Sequence, residues 1–269
     1  MRLRIQILLL VLCGCFGGAA TAQETCDPRK LTKQEIPELT QRAEAGDAMA
    51  QCRLAEAYYS GYVVDQNYSE SADWFRKAAE QGIVESQFMM GLLYGDGTGV
   101  PKSKNEAMDW YRKAAEQGHA NAQVNLGFLY YERKQYDDAR IWYEKAAEQG
   151  DWSAPLNLAD MYVFGHGVPQ DPVIAYMWIT LARAARCGEP PKLCVEQLPV
   201  LDERTIQLRD RESKHLSPEQ VAEARRRAAE WLAEHHLAPL PAEVSAARET
   251  IVPKQAILSA KTVAVVGVV

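Results

Sequence analysis

The stretch Trp74-Phe75-Arg76-Lys77-Ala78-Ala79-Glu80-Gln81-Gly82 recurs twice. It returns as Trp110-Tyr111-Arg112-Lys113-Ala114-Ala115-Glu116-Gln117-Gly118 and as Trp142-Tyr143-Glu144-Lys145-Ala146-Ala147-Glu148-Gln149-Gly150. With Gly46 counted first, the closing glycines stand 36, 36 and 32 residues apart. Trp74, Ala78 and Ala79 fall at i, i+4 and i+5, one stripe of a helix. The alanines let a neighbouring helix come close, and the tryptophan fills the gap beside them. Arg76, Lys77 and Glu80 face water on this reading. The final glycine takes the left-handed position at which helices end. Self-similarity of this period means stacked supersecondary units, none of which buries its apolar face alone.

A partner helix precedes each copy of the phrase. Asp47 N-caps the first of these, which runs to about Tyr59 and is broken by Gly61. Asn67 then caps the phrase helix, with Glu70 completing a capping box. At an offset of 36, Gln87, Met90, Gly91 and Tyr94 answer Gln51, Leu54, Ala55 and Tyr58, and Ser103 with Glu106 answers Asn67 with Glu70. The second loop is Gly95-Asp96-Gly97-Thr98-Gly99-Val100-Pro101. The third repeat keeps Ala122, Gln123, Leu126, Gly127 and Tyr130, with a loop four residues shorter. The fourth keeps Ala154, Leu158, Ala159 and Tyr162, then Gly165-His166-Gly167-Val168-Pro169, with Asp171-Pro172 as N-cap and N1 and Trp178 at the tryptophan position. Pro155 stands where the other repeats have glutamine; in a first turn, proline is tolerated.

The resulting organisation has five parts. Residues 1–22 read as a signal peptide and 23–45 as an N-terminal segment with an opening helix from Leu31, N-capped by Thr32 and containing Pro37. Residues 46–188 hold four repeats. Residues 189–237 hold an insertion and further helices, one over Val195 to Arg211 and one starting at Ser217-Pro218-Glu219-Gln220. Val221, Ala224, Ala228, Trp231 and Leu232 form the stripe of the latter, the capping helix that a solenoid needs. Residues 238–269 lose the period and read as a disordered tail.

The leader combines basic Arg2 and Arg4, an apolar run from Ile5 to Leu12, and Ala20-Thr21-Ala22 as a small-x-small cleavage site. The run is too short to span a membrane, which takes about 20 residues. The chain is therefore expected to be periplasmic or secreted. Leu12-Cys13-Gly14-Cys15 offers a rival reading as a lipid-attachment motif with Cys15 lipidated, although Cys13 is an unusual occupant of that motif. The chain of 269 residues carries a net charge of −6, and without the two leader arginines −8. No long basic run appears, which argues against nucleic acid as partner. Cys26, Cys52, Cys187 and Cys194 remain after cleavage, an even number suited to disulfides in an exported chain. Of three possible connectivities, Cys187–Cys194 is the natural local pair, flanking a short Gly-Pro-Pro-containing loop, which leaves Cys26–Cys52. A buried, unpaired Cys52 is the plain alternative. No Cys-x-x-Cys occurs, and neither metal nor cofactor is expected.

Taken together, Ala-x-Ala-Gln-x-x-Leu-Ala/Gly-x-x-Tyr, Gly-x-Gly-Val-Pro and Ala-x-x-Trp-Tyr-Arg-Lys-Ala-Ala-Glu-Gln-Gly resemble the Sel1-like repeat, a relative of the tetratricopeptide repeat, over Gly46 to Arg186. Leu208-Arg209-Asp210 and Leu216 to Trp231 resemble the usual ending of bacterial members. The resemblance implies an all-α fold, a right-handed α-solenoid of antiparallel helix pairs with a C-terminal capping helix, used as a non-enzymatic adaptor. It also implies partners among proteins, peptides or cell-envelope components such as peptidoglycan. A cysteine-rich branch linked to β-lactam binding or hydrolysis carries a cysteine pair within each repeat, which this chain lacks.

The first helix of each pair is expected to line the concave side. With Leu54, Ala55 and Tyr58 facing inward, the opposite face holds Arg53 and Glu56, then Met89 and Leu92, Asn125 and Phe128, and Asn157 and Asp160, at about 100° per residue. Asn125 and Asn157 would meet a peptide backbone, Met89, Leu92 and Phe128 its side chains. On this reading Asn125 makes no core contact. The competing reading packs Leu92 and Phe128 between repeats. Amides with Met and Leu favour a peptide; aromatic rings would favour a sugar. His166 reads as a solvated loop residue, and no Gly-x-Ser-x-Gly or Ser-x-x-Lys supports a hydrolase.

Overall fold

The computed structural model describes Cys26, residues 31–187 and residues 214–240, with the backbone alone for 185–187. The described residues are helical, without a strand, and fall into two compact units that meet in the sequence at Ile83 and Val84. Within each unit, consecutive helices pack on one another in antiparallel pairs, the arrangement of an α-solenoid.

In the first unit a 3-10 turn, Lys33–Glu35, leads into α1 (Ile36–Glu44), followed by α2 (Ala48–Ser60) and α3 (Tyr68–Glu80). Thr32 donates both its backbone N–H and its hydroxyl to the Glu35 carboxylate, at 2.8 Å each. Pro37 sits in the first turn of α1, where its missing N–H costs nothing. Asp47 accepts the N–H groups of Met49 and Ala50. The Ala50 N–H and the Arg42 guanidinium together hold its carboxyl below the ordinary range. A Cys26–Cys52 disulfide joins the N-terminal segment to α2. The proposed Cys187–Cys194 bridge, the leader with Cys15, the Val195–Arg211 helix and the tail beyond Leu240 lie outside the described residues.

The second unit continues with α4 (Val84–Asp96), α5 (Lys104–Glu116), α6 (Ala120–Glu132), α7 (Tyr136–Glu148), α8 (Ala154–Phe164), α9 (Pro172–Cys187) and α10 (Pro218–Glu234). Ser103 caps α5, Asp171 caps α9, and Ser217 forms a full capping box with Gln220. His119, not recognised as a cap in the sequence, accepts the Ala122 N–H through Nδ1 at the start of α6. Gly82, Gly118 and Gly150 all take positive φ, as the closing position of the phrase requires. The shortened third loop turns instead through Lys134, at φ 60.

Two contacts repeat and explain the phrase. Helices of a pair approach so closely at Gly91 that a Cβ there would lie 2.4 Å from the Tyr111 ring; at Gly127 it would lie 2.7 Å from the Tyr143 ring. Where the small residue is alanine, the partner is not tyrosine: Ala55 belongs with Phe75, Ala159 with Ile179. The second contact is a glutamine bridge. Gln81 donates to Gln51 Oε1 at 2.8 Å, while Gln51 donates to the Ala43 carbonyl at 3.0 Å. Gln149 and Gln123 repeat it, Gln123 reaching the Ala115 carbonyl, and Gln117 donates to Gln87. Each bridge ties the end of a phrase helix to the first helix of its own pair, and Gln51 and Gln123 extend it to the end of the helix before. Gln51, Gln87 and Gln123 are buried and hydrogen-bonded, as burial demands, while Gln81, Gln117 and Gln149 reach them from exposed helix ends.

The lysines of the phrase do not simply face water. Lys77, Lys113 and Lys145 lie over the rings of Trp74, Trp110 and Trp142, 3.7, 3.8 and 4.2 Å from the centroids. The fourth repeat has Leu181 at that spacing, and its Trp178 is met instead edge-on by Trp231 of α10, at 5.4 Å. That contact, with Ala224, Ala228 and Leu232 buried, makes α10 the capping helix.

Two outcomes follow from this packing. Gly91→Ala is expected to destabilise the second unit by about 1–3 kcal/mol through overpacking, despite alanine's better helix propensity. Gly91→Ala combined with Tyr111→Ile should recover part of that loss, since Ala159 and Ile179 coexist; urea titration of the single and double variants checks the coupling. Reduction of Cys26–Cys52, which closes a separation of 26 residues, should cost about 3 kcal/mol in the chain-entropy description. Unfolding with and without dithiothreitol, with thiols counted by mass spectrometry, measures it.

Candidate partner-binding site

The stripe expected to meet a partner divides when its side chains are placed. In the first unit Arg53 and Glu56 are half-buried on α2. Met89 is buried, with 7% of its surface exposed, and is corrected from open contact to core. Its position is partly covered wherever it recurs, since Arg53, Asn125 and Asn157 are half-buried. A thioether loses no strong hydrogen bond when such a position is covered, so Met89 goes inward. Leu92 packs against the cluster of Met108, Tyr111, Ala114 and Leu126. Asn125 is not free of the core either, because its side chain hydrogen-bonds the Tyr111 hydroxyl.

Phe128 behaves oppositely, with half of its surface exposed. It opens onto a cleft of about 90 Å³ lined by Phe128, Tyr131, Tyr143, Asn157 and Asp160. Three of these five, Phe128 on α6 and Asn157 and Asp160 on α8, are residues the helical wheel selected. The other two were missed. Tyr143 reaches the cleft because its ring lies in the gap left by Gly127. The signal for it was the Gly–Tyr pairing rather than any outward periodicity.

The rim of the cleft is aromatic and is organised by the fourth loop. His166 is not a solvated residue. Its ring stacks on Tyr136 at 5.0 Å and on Phe164 at 5.8 Å, and its Nδ1 shares a short hydrogen bond with the Tyr131 hydroxyl. Tyr131 and Tyr136 meet edge to face at 5.3 Å. Gly167 allows this approach: a Cβ there would fall 2.4 Å from Tyr136 Cβ, at a backbone φ of 71. Thus the glycine loop holds a histidine that fixes Tyr131 at the edge of the cleft. Phe164 remains 49% exposed beside it. Among the described residues, no group of three His, Cys, Asp or Glu could hold a metal ion, and no helix is long and apolar enough to cross a membrane.

The profile of the Sel1 repeat matches residues 48–83, 84–119, 120–151 and 153–187. Among solved structures, the chain is similar to a Sel1 repeat protein from Oxalobacter formigenes. That match has 29% identity and a TM-score of 0.53 and covers 80% of this chain and 90% of that one. It is also similar to c5321, a protective antigen of uropathogenic Escherichia coli strains with an SLR fold. Here the identity is 27% and the TM-score 0.46, over 80% of this chain and 50% of that one. No curated protein matches the sequence.

Burial raises the Tyr111 phenol to about 12, with Asn125 opposing the shift and Asp96 adding to it. A folded-state value above the free value of 10.0 stabilises the fold fully below pH 10, and this contribution is lost as pH rises toward 12. The thermal midpoint should therefore fall across this window. Tyr111→Phe should fall less over the same range, which melts at stepped pH will show.

Proposed function

Because this chain belongs to the Sel1-repeat family, we propose that it is an exported, non-enzymatic scaffold that binds an extended segment of a protein partner. The contact surface is the cleft between α6 and α8 and its aromatic rim. The observation that carries this reading is Phe128, a large apolar ring held half in water over polar Asn157 and Asp160. Export rests on the leader-like sequence at residues 1–22, and the Cys26–Cys52 disulfide is compatible with an oxidising compartment.

A cell-envelope glycan is the second reading, favoured by the exposed rings of Phe128, Phe164 and Trp152. The volume of the cleft weighs against it. At about 90 Å³ it admits one side-chain head, well below the several hundred Å³ of typical small-ligand pockets. Hydrolysis of β-lactams is the least supported, since the exported cysteine-rich pattern is absent from the repeats.

Phe128→Ser tests the proposal. A substitution at so open a site should change stability by no more than about 0.5 kcal/mol. Proximity labelling in intact cells, followed by pull-down with purified protein, should recover partners with the parent chain and lose them with Phe128→Ser. Retention of the same partners by the variant would remove the cleft from the interface. Turnover of a β-lactam, or binding of peptidoglycan fragments alone, would replace the peptide reading.

A further inference from the structure

His166 is gripped by its neighbours and open at one atom. Its ring stacks on Tyr136 at 5.0 Å with the planes 5° apart, meets Tyr131 edge to face at 5.4 Å and stacks on Phe164 at 5.8 Å. Nδ1 shares a short hydrogen bond with the Tyr131 hydroxyl. The ring is half-buried, and among the described residues no hydrogen-bond partner reaches Nε2. His119 and His235, by contrast, each have both ring nitrogens beside another group of the chain. A phenol O–H is a stronger acid than an imidazole N–H, and an imidazole nitrogen is the better acceptor. In the neutral ring Tyr131 therefore donates and Nδ1 accepts, which leaves the ring proton on Nε2. Tyr131 is a wall of the cleft, so this arrangement sets an N–H donor at the cleft's edge.

The tyrosine pair recurs, since Tyr59 and Tyr68 also meet edge to face, at 5.5 Å. The loop position of His166 holds Tyr62 in the first repeat and Thr98 in the second, so the fourth repeat adds the imidazole. A donor held by packing loses little freedom when an acceptor arrives. An extended segment outside a sheet offers one at every residue, because its main-chain carbonyls lack partners of their own. We propose that His166 Nε2–H donates to a main-chain carbonyl of the partner's extended segment, beside the exposed rings of Phe164 and Phe128. This inference rests on the cleft and its rim being the partner-binding surface. It makes His166 a contact residue whose aim is set by Tyr131 and Tyr136.

Two substitutions separate the contact from the packing. Asparagine sets a carbonyl where Nδ1 lies, which keeps the Tyr131 bond, and has nothing at Nε2. Glutamine reaches the Nε2 position with an amide N–H. A random peptide library displayed on phage is selected against the full chain, and synthetic winners are measured by fluorescence anisotropy below the melting transition of each variant. His166→Asn should weaken binding by about three- to tenfold, the range of one hydrogen bond, and His166→Gln should recover part of that loss. An ester in place of a peptide bond makes its carbonyl a poorer acceptor. Scanned along a winner, it should find one position that matters to the parent chain and not to His166→Asn. Winners that depend on Phe128 yet bind His166→Asn as they bind the parent would overturn the contact and keep the cleft. Dependence on His166 that disappears when a peptide Asp or Glu is changed to its amide would assign the bond to a side chain and overturn the main-chain reading. Winners indifferent to Phe128→Ser, or an empty selection, would overturn both the contact and the cleft.

Discussion

In two of the helix pairs the approach of the helices is set by an absence, the missing Cβ of Gly91 and Gly127. A tyrosine ring from the following helix occupies the space where that atom would be. The contact fixes the separation within these two pairs and buries a tyrosine ring in the space that a Cβ would take. It also gives the candidate site its floor, because Tyr143 is both the ring seated on Gly127 and a wall of the cleft. Packing and recognition are thus the same side chain. A change that loosens the pair would reshape the site.

Polar order complements this steric fit. Apolar stripes alone would let helices slide by a turn with little penalty. The glutamine bridges do not, since each buried amide has one geometry in which donor and acceptor are both satisfied. Lysines lying over tryptophans cover those rings in the first three pairs, and they work as covers as much as charges.

Much of this was legible before any coordinates. The repeated phrase, the caps at Asp47, Asn67 and Ser103, and the glycines at helix ends are local signals, and local physics satisfies them. The Phe128, Asn157 and Asp160 grouping was also readable, because a helical wheel depends only on backbone geometry. What escaped were the contacts made across the chain. Met89 lies at a stripe edge where side-chain chemistry, not angle, decides between core and water. Asn125 faces away from its own helix pair yet reaches the hydroxyl of Tyr111. His166 follows a glycine, reads as solvated, and is half-covered because Tyr131 and Tyr136 arrive from α6 and α7. None of these has a period to betray it.

Pro155 has a consequence for how such a chain can grow. Proline at that position has no side-chain amide, so the bridge that links one pair to the next stops at the fourth repeat. There the tryptophan also exchanges its lysine for a ring from α10. An interior unit could be copied by gene duplication, because it carries both halves of its own linkage. A unit appended after the fourth would find no open face, because α10 already packs on α9. Copy number is therefore free to drift in the middle of the array and is arrested at its end.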